Sequence, residues 1–286
     1  MLPTPHFHVV FALPSELRAL FRRNPRTLYG LFFGVVSGVL TEAGRDRLEA
    51  RMAVVAVLHT WTRELNYHPH IHALVSAGGL HIDDDRWVPT RLDYLFPVAR
   101  MRHRFRRDLL KGLDHLVRRG LLERAAVRSA CRGLRKKRWV VHVDAPDGRG
   151  PEQVVRYLAR YVYKVALSDH RVARTGSDGV TFRTRGSDTI TLDDVELTRR
   201  YLLHLLPKGF RKVRCYGLLA PGNVNGRLEV ARLLLGSESE TDAPDEPDEP
   251  EDPPATAPAC PRCALPMRWV EQVEPCYRAR GPPAAV

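Results

Sequence analysis

Two apolar runs, "MAVVAVLHTW" (52–61) and "PHIHALVSA" (69–77), stand either side of a short polar stretch, "TRELNYH", and this arrangement limits the fold more than any other feature of the chain. Both runs have the β-branched, alternating character of strands, and the link between them is a polar loop. They predict an antiparallel hairpin near the centre of the chain. "HFHVVFALP" upstream alternates in the same way, "PSELRALFRR" opens with residues suited to a helix start, and "PRTLYGLFFGVVSGVLTEAGRDRLEA" reads as a long, mostly buried helix.

Downstream, a short hairpin is expected around "GGLHIDDDRWVP", then the basic helical tract 101–139, a strand "RWVVHVDAP" and a helix "PEQVVRYLARYVYKVALS". A ribbon-like "VARTGSDGVTFRTRGSDTITLD", a helix "VELTRRYLLHLL", a strand "GFRKVRCYGLL" and a last helix ending near Leu235 complete the map. This order of strands and helices is that of an α+β domain. The longest apolar stretch, "LYGLFFGVVSGVL", falls short of the run needed to span a bilayer, so no membrane partner is expected. With no secretory leader visible in "MLPTPHFHVVFALP" and five unevenly spaced cysteines, a reducing cytoplasm is the expected location.

Charge divides the chain. Residues 237–252, "SESETDAPDEPDEPED", hold nine acids and no base, and residues 253–286 hold four arginines against two glutamates; setting both stretches aside raises the net charge from +12 for the whole chain to +19 for the first 236 residues. Residues 1–235 are read as one domain and 236–259 as a disordered acidic, proline-rich linker. The tail 260–286 carries a Cys-x-x-Cys knuckle at Cys260 and Cys263, with Cys276 as a third candidate zinc ligand and no fourth. A body this basic suggests a polyanionic partner, nucleic acid first, and a ribosomal or membrane-surface role would give the same excess. In the tract 101–139, Met101, Phe105, Leu109, Leu113 and Leu116 recur at helical spacing and leave Arg102, Arg106 and Lys111 toward solvent. That face is either an ordinary solvated one or one that tracks phosphates.

Two constellations carry chemistry. Residues i and i+2 of a strand share a face about 6.6 Å apart, so the imidazoles of His70 and His72 can converge on one ion. His68 has the same parity but lies about 13 Å from His72 with Pro69 between them. A hairpin turning within "RELNY" sets His59 opposite His70 or His72, which makes three histidines on one face; His68 and Glu64 are the substitutes if His59 points elsewhere. Trp61, which follows on that strand, is a core residue or a platform for a base. Tyr157 and Tyr161 lie four apart in "RYLARYVYKVA", about 6 Å along a helix and on nearly the same face, with Tyr163 off it and Arg160 between.

The quoted motifs resemble those of the HUH single-strand endonucleases: "HPHIHALV" is similar to their His-hydrophobic-His motif and "YLARY" to their two-tyrosine helix. "HFHVVFALP", "VLHTW" and "LPKGFRKVRCYGLLA" resemble the rolling-circle transposases of bacterial insertion sequences. The resemblance runs from about Pro3 to Leu235 and implies a central antiparallel sheet flanked by helices. It also implies a divalent metal, Mg²⁺ or Mn²⁺, on His70 and His72 with His59, and Tyr157 and Tyr161 as nucleophiles. Single-stranded DNA at the ends of a mobile element would be nicked and rejoined through a 5′-phosphotyrosine. Members of the group begin with a cysteine-rich zinc segment, whereas this chain begins at the first catalytic strand, as a truncated copy or one whose start lies upstream would. A replication initiator with the same chemistry and a non-catalytic DNA-binding remnant are the competing readings.

Overall fold

In chain order the described elements are β1 His6–Ala12, α1 Arg18–Arg23, α2 Pro25–Leu48, β2 Ala50–Trp61, β3 Tyr67–His81, β4 Trp87–Pro89, α3 Val98–Arg118, α4 Arg124–Ala130, β5 Val140–Asp144, β6 Val172–Gly176, β7 Gly179–Arg183, β8 Thr189–Leu192, α5 Asp194–Leu202, β9 Val213–Gly217 and α6 Arg227–Gly236. This computed structural model describes residues 2–83, 85–146, 166–223 and 226–236, all within the first of two units, Met1–Glu240. Gly236, read from sequence as the start of the linker, ends α6; the rest of the linker, 237–259, and Cys260, Cys263 and Cys276 lie outside the described residues, as do Tyr157, Arg160, Tyr161 and Tyr163.

The hairpin predicted at the centre is the axis of the main sheet, whose order is β5-β1-β3-β2-β9, with β4 added to β3; every pairing is antiparallel. In the β2–β3 register Leu58 faces Ile71 and His59 faces His70, one of the two pairings the sequence allowed. β3 is longer than "PHIHALVSA" because Gly78 and Gly79 carry it onward to pair with β4. Gly78 has φ +148°, and a Cβ there would stand 2.6 Å from Trp87 Nε1, so only glycine lets β4 approach so closely. The register against β2 shifts between Met52 and Val54, at this same place.

Strand alternation sends two different sets of side chains to the two faces. Phe7, Val9, Phe11, Val54, Ala56, Leu58, Ile71, Ala73, Val75 and Val141 enter the main core with the apolar faces of α2 and α3. Phe105 of α3 is the hub, edge-on to Phe11 at 5.2 Å and to Trp139 at 5.0 Å. Burying a side chain of this size contributes about 1.5–3 kcal/mol. Against the expectation from "LYGLFFGVVSGVL", α2 at 24 residues is long and apolar enough to cross a bilayer by length and composition. Half of that window is buried within the protein, and Leu28, Phe32, Phe33, Val36, Val39 and Leu40 are the residues the core uses. The opposite face carries the complementary parity: His8 from β1, His59 from β2, His70 and His72 from β3, and His142 and Asp144 from β5.

The ribbon expected at 172–192 is a separate three-stranded sheet, β6-β7-β8, whose Phe182 and Leu192 pack with Leu65 of the β2–β3 loop and with Ala166. Three consecutive carbonyls of that loop are held from downstream: Arg171 donates to Arg63 O, Arg200 Nη1 to Glu64 O at 2.9 Å, and His204 Nε2 to Leu65 O at 3.1 Å. Leu65, at φ +60° and fully buried, needs such support, because a branched side chain in the left-handed region costs about 1–2 kcal/mol.

Candidate metal centre

The sheet face opposite the main core gathers the histidines that the strand parity predicted. His59, His70 and His72 each offer a ring nitrogen, and these three lie within 4.8 Å of one another. Two nitrogens bonded to one ion at about 2.1 Å each stand about 3.0–3.4 Å apart at octahedral or tetrahedral angles, so closure needs each ring to draw in by up to about an ångström. Ring centroids are 4.4 Å apart for His59 and His72 and 4.8 Å for His70 and His72. His59 is 2% exposed, yet it lies on the site face and not in the main core. Its ring stacks on Trp61 at 5.1 Å and 17°, and Trp61 is half-buried, with its edge toward His204.

Burial keeps these rings neutral, which leaves lone pairs for a metal. Desolvation, with His70 and Lys212 nearby, pushes the pKa of His59 down to about 3. Desolvation also lowers His70 and His72, and for His72 the neighbouring rings of His59, His70 and His8 add to the effect. The hydrogen bonds then decide which nitrogen is free. His70 Nδ1–H donates to the carbonyl of His68 at 2.7 Å, so its Nε2 carries the lone pair. His72 Nδ1 and His8 Nε2 are 2.7 Å apart in nearly coplanar rings, and His8 Nδ1 lies 3.1 Å from Asp144 Oδ2. With His8 donating to the carboxylate, His8 Nε2 accepts from His72 Nδ1–H, and the lone pair of His72 is also on Nε2. Asp144 Oδ1 is engaged by His142 Nε2 at 2.6 Å.

The set fits a divalent ion by donor chemistry: three neutral imidazoles suit Mn²⁺ better than Mg²⁺, which prefers oxygen. His68 stays outside the group, its Nδ1 accepting from Arg18 Nη2 at 2.5 Å. Glu64 is also outside it; a bond from Thr62 holds its carboxyl below the usual range. Beside the histidines opens a cavity of about 720 Å³, lined among others by Trp61, Arg63, His170, Arg171 and Arg183.

The other residues singled out by the sequence fall elsewhere. Arg102 and Arg106 are half-buried on α3 and only Lys111 is fully exposed, because Arg106 Nη1 turns back to donate to Arg135 O at 2.6 Å. All three belong to the helix that packs on the core face, across the sheet from the histidines. His8 and Asp144 had no role assigned from sequence, although the alternation in "HFHV" and "VHVD" repeats the parity that marked His70 and His72.

Residues 53–227 match the family described as "Putative transposase" (Y2_Tnp). The chain is 36% identical over 266 residues to "Putative transposase y4qJ" of Sinorhizobium fredii (strain NBRC 101917 / NGR234), covering 85% of this chain and 67% of that protein. It is 32% identical over 230 residues to the "Transposase for insertion sequence element IS801" of Pseudomonas savastanoi pv. phaseolicola, covering 76% of this chain and 54% of that one. The chain therefore spans about two thirds of the first relative and about half of the second. A solved structure of the conjugative relaxase TrwC in complex with mutant oriT DNA aligns over 80% of this chain and 72% of its own at 13% identity, with a TM-score of 0.28, too low to bear on the fold. With a family match over more than half of its length, the chain belongs to the Y2_Tnp family of transposases.

Proposed function

We propose that this protein is a DNA transposase that nicks and rejoins single-stranded DNA through a 5′-phosphotyrosine. In this reading His59, His70 and His72 hold the divalent metal, and Tyr157 and Tyr161 are the nucleophiles. The observation that carries the proposal is the convergence of three neutral imidazoles on the sheet face opposite the main core, at a cavity edged by arginines. A bound divalent ion supplies Lewis-acid polarisation of the scissile phosphate there. The chain's own residues do the rest. By accepting hydrogen bonds from Nδ1–H, His8 and the His68 carbonyl leave the Nε2 lone pairs of His72 and His70 free for the ion. Arg63 and Arg183 at the cavity and Lys212 near His59 offer positive charge to the flanking phosphates.

A tyrosine phenol, with a pKa of about 10, attacks phosphorus as its proton is lost; the phosphorus–O3′ bond breaks and the departing 3′ oxygen takes up a proton. The phosphodiester bond lost is replaced by a phosphotyrosine bond, so a free 3′-hydroxyl can later reverse the exchange. Two tyrosines let one DNA end be held while the other strand is cut. The test is to incubate the full chain with a single strand labelled at its 3′ end and with Mn²⁺. Label carried on the protein through denaturing electrophoresis, and lost in the Y157F/Y161F double variant, is the expected result. Label persisting in the double variant overturns the assignment of the nucleophiles, and no adduct with the unaltered protein overturns the reaction.

A further inference from the structure

We propose that α4 and the turn that follows it form a second nucleic-acid surface, on which Arg124, Arg128 and Arg132 hold the sugar–phosphate backbone of duplex DNA on the far side of the core from the histidines. The inference rests on the reading that the protein acts on DNA, but it concerns a different part of the molecule. Arg124 and Arg128 lie four residues apart on α4, about 6 Å along its axis, and Arg132 follows in the turn after the helix and lines the same groove. All three are exposed, and Ala125 and Ser129 between them leave a shallow groove open to a bulky partner.

Several cations nearby are held in ion pairs. On α3, Arg104 is engaged by Glu42 and Asp46, Arg107 by Asp108 and Arg118 by Asp114. Lys137 is engaged by Glu16 at 2.6 Å. Among the ion pairs of the described residues, none involves Arg124, Arg128 or Arg132. From 118 to 138 the chain carries nine basic residues against one acid, Glu123.

Position and composition point to the kind of partner. Val127 and Leu134 root this segment in the main core, on the face of the sheet opposite His59, His70 and His72. It does not extend the cavity beside the metal centre. Surfaces that bind single strands combine charge with aromatic platforms for unstacked bases. Residues 118–138 contain no aromatic side chain and no histidine. A surface with charge and no stacking platform suits a duplex, whose bases are already stacked and whose outer surface is phosphate.

The experiment measures binding of the full-length protein to a labelled duplex of about 30 base pairs and to one of its strands, over a series of salt concentrations, for the unaltered protein and the R124Q/R128Q/R132Q variant. Each lost phosphate contact lowers the slope of log affinity against log salt by about 0.9, so the variant should lose about 2 to 3 units of slope on the duplex. Its duplex affinity at about 0.1 M salt should fall at least about tenfold, while its binding of the single strand and the yield of labelled adduct on a short single strand stay within about twofold. The R124K/R128K/R132K variant should keep the duplex slope, since the contact requires charge and not a planar fork. An unchanged slope in the glutamine variant overturns the proposal. An equal loss on the single strand overturns the assignment to duplex. Absence of adduct from every protein would overturn the transfer reaction alone, and the slope would still decide for or against this surface.

Discussion

Replacing His8 by Phe removes the partner that orients His72 and keeps an aromatic ring of similar size at the same place on β1. In the native arrangement His72 Nδ1–H has an acceptor 2.7 Å away, and that acceptor is backed by the Asp144 carboxylate at 3.1 Å. Without it, His72 can place its proton on Nε2, which hides the lone pair that a metal needs. Loss of an outer partner of this kind lowers metal affinity by about 10- to 100-fold, equivalent to about 1.4–2.7 kcal/mol. The Asp144 side chain is half exposed, so water can take over part of its role. Asp144→Asn should therefore cost about tenfold or less, and less than His8→Phe. Titration calorimetry with Mn²⁺ reads the affinity, and nitrogen-15 chemical shifts of the His72 ring in the metal-free protein read the tautomer. If His8→Phe leaves Mn²⁺ affinity within about twofold and the Nε2 of His72 still unprotonated, the orienting role is refuted.

Arg200→Ala and His204→Ala should each weaken Mn²⁺ binding severalfold without touching a ligand, because they release the Glu64 and Leu65 carbonyls of the loop between His59 and His70; faster amide exchange confined to residues 62–66 would identify that cause, and unchanged exchange would exclude it. His6 is buried, and desolvation takes its pKa down to about 4. A lowered histidine pKa means that the unfolded chain binds the proton first, so the stability is complete above about pH 6.5 and is lost as pH falls toward about 4. By about pH 5 the loss from this group is about 2 kcal/mol, and denaturant melts of His6→Gln should show that much less acid sensitivity. Gly217→Ala should destabilise by at least ~2 kcal/mol in a thermal or denaturant melt: Gly217 has φ +62°, and an added Cβ would collide with the Met52 carbonyl, so a loss below about 0.5 kcal/mol would contradict the β2–β9 packing.

The centre of the site was legible because strand parity and hairpin register are local properties. A turn within "RELNY" leaves few pairings, and either places His59 beside His70 or His72. The support for that centre was not legible. His8 and Asp144 reach His72 through β1 and β5, which pair side by side although 127 residues separate the end of one from the start of the other, and only the completed sheet order sets β1 between β5 and β3. The grip on the loop carbonyls was equally hidden, since any backbone carbonyl can accept from Arg171, Arg200 or His204 and composition does not say which. Periodicity gave the buried stripe of α3 correctly at Met101, Phe105, Leu109 and Leu113. It left Arg106 toward solvent because it cannot represent a side chain that folds back onto the turn after α4.

That the histidine cluster is a metal centre serving covalent strand transfer is tested most directly by the yield of protein labelled by a 3′-end-labelled single strand as Mn²⁺ is titrated. Adduct should rise with Mn²⁺, be absent with chelator, and be lost in H70A/H72A at Mn²⁺ concentrations that saturate the unaltered protein. Adduct that forms equally well in chelator, or in H70A/H72A with no greater need for Mn²⁺, would contradict a metal centre at these histidines.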